Sequence, residues 1–262
     1  MLTSLRNVFL SSVIALTFLS SSSATPLEGL ATRTPRVPVY DTCNSDGKIA
    51  LTFDDGPWKY EPKLLNELQN AGAKASFFLN GNNYGCIYDY ADEIRRAFDA
   101  GHLIGSHTWS HADITKLSTS ELDQELGKLE RAMIKILGVR PRVFRPPYGS
   151  INTESREVLA RRGYTAIILW DRDTKDADGA TVAYSRNVMN KVMNSYPKSH
   201  MVLSHETIKT TSYNVMPHAL PMLQQKGYEL VTAMECVGSG SDDGQWYDYV
   251  QQPEDKNDSW KC

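Results

Sequence analysis

Two adjacent carboxylates, Asp54 and Asp55, close a short apolar run, Ile49-Ala50-Leu51-Thr52-Phe53, and are followed by Gly56-Pro57. Neighbouring residues on a strand face opposite ways, so two acids at a strand end can do two jobs. One can bind a cation while the other stays free to move a proton. Alone, Asp-Asp-Gly reads more readily as a polar turn. A second copy, Asp242-Asp243-Gly244, sits in a polar tail with no strand before it, and there the turn reading suffices. The first copy has to be judged by its company.

That company is ionisable. His107 and His111 are four residues apart, a spacing that puts two imidazoles on one side of a helical turn. By itself such a pair is more often structural or exposed. With Asp55 it becomes two nitrogens and one carboxylate oxygen, a three-ligand set with open positions. That is the pattern of a catalytic zinc, and equally that of a non-haem iron oxygenase. His205 follows an apolar run and is a candidate general acid or base. His102, His200 and His218 read as packing or surface residues. Arg145-Pro146-Pro147-Tyr148-Gly149 and the acids Asp171, Asp173 and Asp176 complete the set.

Apart from His102, His200 and His218, each of these groups falls at or just after the end of a predicted strand. The strands are Ile49–Phe53, Ala73–Leu79, His102–Gly105, Arg142–Arg145, Tyr164–Trp170, His200–Ser204 and Tyr228–Met234. Between them the apolar spacing predicts helices over Glu61–Ala71, Tyr90–Ala100, Ser118–Leu137, Thr153–Arg162, Val182–Tyr196 and Val215–Lys226. Ser118 with Glu121 forms a capping-box signature, and glycines close most of the helices. Seven strands connected through helices force parallel pairing. No Gly-rich phosphate loop follows any strand, which disfavours an open nucleotide-binding sheet. The expectation is an α/β fold, a distorted (β/α)7 TIM-like barrel, incomplete by one unit against the usual eight. Its strand ends converge on one face.

The 262 residues carry a formal charge of -3 and give no sign of nucleic-acid binding. Residues 1–24 read as a secretory signal: Arg6, an apolar stretch from Val8 to Leu19, then small residues to Ala24. Residues 25–39 read as a flexible leader, 40–236 as the catalytic domain and 237–262 as a tail packed on it. No second apolar segment suggests a membrane span. Four cysteines in a secreted chain suggest two disulfides with three pairings. Cys43 with Cys236 is favoured, because each flanks a terminal strand, which leaves Cys86 and Cys262. Asn257-Asp258-Ser259 is a candidate glycan acceptor.

Four segments in order, Thr52-Phe53-Asp54-Asp55-Gly56, His107-Thr108-Trp109-Ser110-His111, Arg145-Pro146-Pro147-Tyr148 and Leu203-Ser204-His205, resemble the motifs of the polysaccharide deacetylase family, carbohydrate esterase family 4. The resemblance runs from about Ile49 to Glu235 and is strongest to secreted fungal chitin deacetylases. It implies a seven-unit barrel, agreeing with the strand count. It implies a metal, zinc first and cobalt as a substitute, on Asp55, His107 and His111. Asp54 would be the general base and Arg145 its partner. The Tyr148 N–H would meet the oxyanion, His205 would protonate the amine, and Asp176 would hold His205. Leu203 would line the acetyl pocket, with Pro147 and Trp58 against the sugar. The family pattern Asp-x-x-Asp-Trp reads here Asp173-Thr174-Lys175-Asp176-Ala177, so its tryptophan is missing.

The expected partner is chitin or a chito-oligosaccharide, with peptidoglycan and acetyl-xylan as alternatives, acted on by a secreted, extracellular monomer. Two other classes compete. A carbohydrate-binding relative without activity need not keep ligands, base and acid together, and this chain carries all three. An iron oxygenase has no use for an acid and a base flanking the metal.

Overall fold

The computed structural model describes residues 36–238 and 246–262. The expected signal, most of the leader, and Asp242-Asp243-Gly244 lie outside them. The elements in chain order are β1 (Val39–Tyr40), β2 (Lys48–Asp54), α1 (Glu61–Asn70), β3 (Ser76–Leu79), α2 (Ala91–Asp99), β4 (Leu103–Ser106), α3 (Thr119–Leu137), β5 (Val139–Pro141), β6 (Val143–Phe144), α4 (Thr153–Arg161), β7 (Ala166–Ile168), β8 (Arg172–Asp173), α5 (Val182–Asn194), β9 (His200–His205), α6 (Met216–Lys226), β10 (Glu229–Val231), α7 (Ala233–Cys236) and β11 (Tyr247–Tyr249).

The main sheet runs β1-β7-β6-β4-β3-β2-β9-β8, with every pairing parallel. β2 is its hub. One edge takes β9 from Ile49 to Asp54. The other is shared by β10 over Lys48–Ala50 and β3 over Thr52–Asp54. β7 and β8 lie near opposite ends of the strand order, yet only Leu169, Trp170 and Asp171 separate them in sequence. Leu169 N–H donates to Tyr40 and Asp171 N–H to Met201. A sheet whose ends are joined by three residues has to curl, and the result is a distorted, incomplete (β/α)7 barrel.

The apolar runs explain the interior. Ile49, Ala50, Leu51 and Phe53 of β2 are buried, as are Phe77 and Phe78 of β3. Phe53 and Phe77 stack at 5.4 Å. Each of the larger side chains among these contributes about 1.5–3 kcal/mol through burial. α3 carries the capping box read from Ser118 and Glu121, and stops at Gly138, whose φ of 76° takes the left-handed conformation that favours glycine.

The differences from the sequence reading have local causes. The expected strand Tyr228–Met234 stops at Val231, because Thr232 caps the short α7 through its hydroxyl and Glu235. The fourth strand shrinks to two residues. β1, β5, β8 and β11 have two or three residues each and are too short for any periodicity to show. In the described end of the leader, Val37 is buried ahead of β1. β11 pairs antiparallel with β5, and Trp260 packs on Tyr88 with ring centroids 5.4 Å apart. Disulfides join Cys43 to Cys236 and Cys86 to Cys262. Among the described residues no helix is long and apolar enough to cross a membrane.

Candidate active site

Register gathers the chemistry. In the sheet Asp54 pairs with His205 on one side and with Phe78 on the other. Paired residues on parallel strands face the same way, so Asp54 and His205 share the barrel's C-terminal mouth. β3 and β4 end at Leu79 and Ser106, so Asn80 and His107 enter the same rim. A cavity of about 330 Å³ opens there. It is lined by Asp54, Asp55, His107, His111, Tyr148 and Trp170 on one part of its wall, and by Asp173, Lys175, Ala177, Asp178, Leu203 and His205 on the rest.

Asp55 leaves the strand with a φ of 71°, a left-handed conformation that aspartate tolerates better than most residues. Its Oδ1 lies 3.1 Å from His111 Nε2 and 3.5 Å from His107 Nε2. One ligand atom from each of the three lies within 4.8 Å of the others. His107 Nδ1 is 2.7 Å from the Arg145 carbonyl, which can only accept. That fixes the Nδ1–H tautomer and aims a lone pair on Nε2 at Asp55. Asp55 Oδ1 is buried and has no hydrogen-bond partner. Acceptors converging on a point with no donor between them suit a divalent cation.

Asp54 is held differently. Arg145 is fully buried, and its Nη1 donates to Asp54 Oδ1 at 2.8 Å and to Thr52 Oγ1 at 2.6 Å. Its Nε and Nη2 donate to the carbonyls of Ile168 and Leu169. The guanidinium is thus locked between β2 and β7, and only the far oxygen of Asp54 is free. That oxygen, Oδ2, lies 3.8 Å from His107 Nε2.

On the other flank His205 Nδ1 meets Asp176 Oδ1 at 2.7 Å. Asp176 Oδ2 accepts from the His205 N–H and from Thr211 Oγ1. Burial pulls the imidazole's pKa down, but Asp176, with Asp54 and Asp55 behind it, pushes it up to about 9. At neutral pH His205 is an imidazolium with a proton to give.

The structure brings together all three expected ligands and Asp54, Arg145, Asp176, His205, Tyr148 and Leu203. It does not bring Trp58 or Pro147 to the cavity wall. Trp58 packs near Tyr84 and Tyr90, and Pro147 is buried. Asp171 serves His200 and the Met201 N–H instead of the site. His102 accepts from the Ala75 N–H, and burial takes its pKa down to about 4. Ala177 does line the cavity, and the indole found there is Trp170.

Sequence reasoning missed Asn80. It is buried, its N–H donates to Gly56 O at 2.7 Å, and its amide donates to the carbonyls of His107 and Thr108. It therefore ties the carboxylate turn to the histidine loop. The signal was available: a polar residue directly after Phe77-Phe78-Leu79, another strand end.

Known proteins decide what this arrangement belongs to. The family model described as Polysaccharide deacetylase matches residues 41–167. A chitin deacetylase of Pestalotiopsis sp is 36% identical over 231 residues, covering 87% of this chain and 75% of that protein. The chain belongs to the polysaccharide deacetylase family. A chitin deacetylase of Colletotrichum lindemuthianum is 35% identical over 212 residues, 78% of this chain and 84% of that one. The solved structure of the chitin deacetylase from that fungal pathogen superposes with a TM-score of 0.76 at 34% identity, covering 82% of this chain and 97% of the other. In this deacetylase the carboxylate turn and the two histidines line one cavity.

Proposed function

We propose that this polysaccharide deacetylase removes N-acetyl groups from N-acetylglucosamine units of chitin or chito-oligosaccharides outside the cell. The observation that carries the reading is the pairing of two proton-handling groups, Asp54 and His205, at the same cavity as the Asp55–His107–His111 cluster. Likeness to chitin deacetylases supports the substrate class, and the two disulfides support an oxidising compartment.

Asp55, His107 and His111 would hold a divalent cation, Zn2+ by donor set, with Co2+ as a substitute. When bound, it supplies Lewis-acid polarisation of the acetyl carbonyl and lowers the pKa of water. Asp54 Oδ2 takes the proton of the attacking water, while Arg145 fixes the other oxygen. Tyr148 lines the cavity with a φ of 61°, and its N–H would meet the developing oxyanion. His205 delivers its proton to the departing nitrogen, because an amide anion is too poor a leaving group. Leu203 lines the space for the acetyl methyl. One water is consumed, and acetate and a glucosamine amine are produced.

Acetate release from a panel of chitin oligomers, peptidoglycan and acetyl-xylan, with and without chelator, tests this. Turnover on the chitin oligomers that stops with chelator and returns with zinc or cobalt is expected. Preference for another polymer would move the substrate assignment. Unchanged turnover in chelator would remove the metal, and no release from any polymer would leave a binding protein.

His205 gives a pH prediction. Its protonated form is the active one, so the rate falls as pH rises through its pKa, which the site pushes up to about 9. A bound cation offsets the help from Asp54 and Asp55 and lowers that limb. Asp176→Asn removes the strongest of the influences raising this pKa, while burial still lowers it. The alkaline limb of kcat against pH should therefore move down by at least about one unit. A limb that stays in place would show that Asp176 does not hold the imidazolium.

A further inference from the structure

The turn at Asp55-Gly56-Pro57 rests on a side chain that the chemistry above does not use. Glu206 follows His205 at the end of β9 and is fully buried. Neither of its carboxyl oxygens has a hydrogen-bond partner among the described residues. Gly56 shows what they lie against. A Cβ built on Gly56 would stand 1.2 Å from Glu206 Oε1, 2.3 Å from its Cδ and 2.9 Å from its Cγ.

The Gly56 backbone does not take the left-handed φ that would demand glycine. Glycine is required at 56 by space, and the space is taken by Glu206. From another side, Gly56 O accepts from the Asn80 N–H. The turn carrying the carboxylates is thus gripped between Asn80 and Glu206.

Glu61, the first residue of α1, is likewise fully buried with both oxygens unpartnered. Burial raises the Glu61 pKa to about 8, with Glu93 adding to the effect. Burial also raises Glu206 well above the ordinary carboxyl range, with Glu61, Asp55 and Asp54 adding to it. Both acids are therefore neutral at neutral pH, the form that can be buried without a counter-charge.

We propose that Glu206 is a positioning residue: its side chain, lodged against Gly56, sets the pose of the turn that aims Asp55 at His107 and His111. The inference rests on reading that cluster as a metal site.

The test uses cobalt-loaded protein, whose visible absorption reports ligand geometry, together with kcat and KM. Gly56→Ala should alter the cobalt spectrum and lower kcat by about 100-fold, the scale of a misplacement near 1 Å. Adding Glu206→Ala to it vacates the space and should restore kcat by about tenfold or more. Glu206→Ala alone should shift the spectrum and lower kcat more than it raises KM. Glu206→Gln, which keeps the shape and the neutrality, should restore what Glu206→Ala loses.

A double variant no better than Gly56→Ala, or a Glu206→Ala spectrum identical to the unmodified one, would overturn the proposal. If Gly56→Ala does not fold, the alanine and glutamine variants at 206 still decide. If the unmodified protein takes up no cobalt, the metal reading is what fails, and the kcat cycle between positions 56 and 206 still decides the positioning role.

Discussion

Asp54→Asn is expected to keep its divalent cation and to lose acetate release by about a thousandfold. Asparagine has nearly the shape of aspartate, and its Oδ1 can still accept from Arg145 Nη1, which reaches Asp54 at 2.8 Å. It cannot take a proton. Asp54 is not one of the three groups whose ligand atoms cluster, so metal content should stay near one per chain. The substitution also strips a fully buried guanidinium of its counter-charge, at a cost of about 3–5 kcal/mol for pairs of this kind. A lower melting temperature should accompany the loss. The two effects separate if rate is measured well below the melting transition on protein of verified metal content. Near-full turnover there would take the base role from Asp54. Loss of metal would place Asp54 among the ligands.

What could be read in advance divides by physical cause. β2, β3, β9 and the long α3 have apolar runs or helical spacing long enough to register, and each was found in place. The strand-end rule then located Asp54, Asp55, His107, Arg145 and His205, because parallel strands send their ends to one face. It went too far with Asp171. That residue also follows a strand, but its carboxylate binds His200 and the Met201 N–H while the chain crosses from β7 to β8. A two-residue strand such as β8 has no period, so the crossing that closes the sheet was invisible.

Asn80 and Glu206 were missed for a different reason. Both follow strand ends, as the other site residues do, but the roles they play come from partners distant in sequence. For Asn80 these are Gly56, His107 and Thr108, and for Glu206 it is again Gly56. Trp58 lies off the cavity wall, beside Tyr84 and Tyr90, a placement that its neighbourhood to a catalytic motif did not indicate.

His107→Ala should abolish metal binding and turnover together, and this is the larger of the two effects. His107 is buried at the centre of the site, with Asp55 Oδ1 at 3.5 Å and Asp54 Oδ2 at 3.8 Å from its Nε2. Its Nδ1 is spent on the Arg145 carbonyl, so the ring would be both ligand and spacer between the histidine loop and β6. Losing a partner outside the ligand set costs about 10–100-fold in metal affinity, and losing a ligand costs more. The matched control is His200→Ala. His200 is equally buried and hydrogen-bonded, but to Asp171 and Ser195 behind the barrel wall. That variant should lower the melting temperature and leave metal affinity alone. Measured by competition with a chromophoric chelator, affinity should fall for position 107 and not for 200. Equal losses at both would mean that folding, and not ligation, is what the histidines share. Unchanged affinity at 107 would leave the cluster with no metal to explain it.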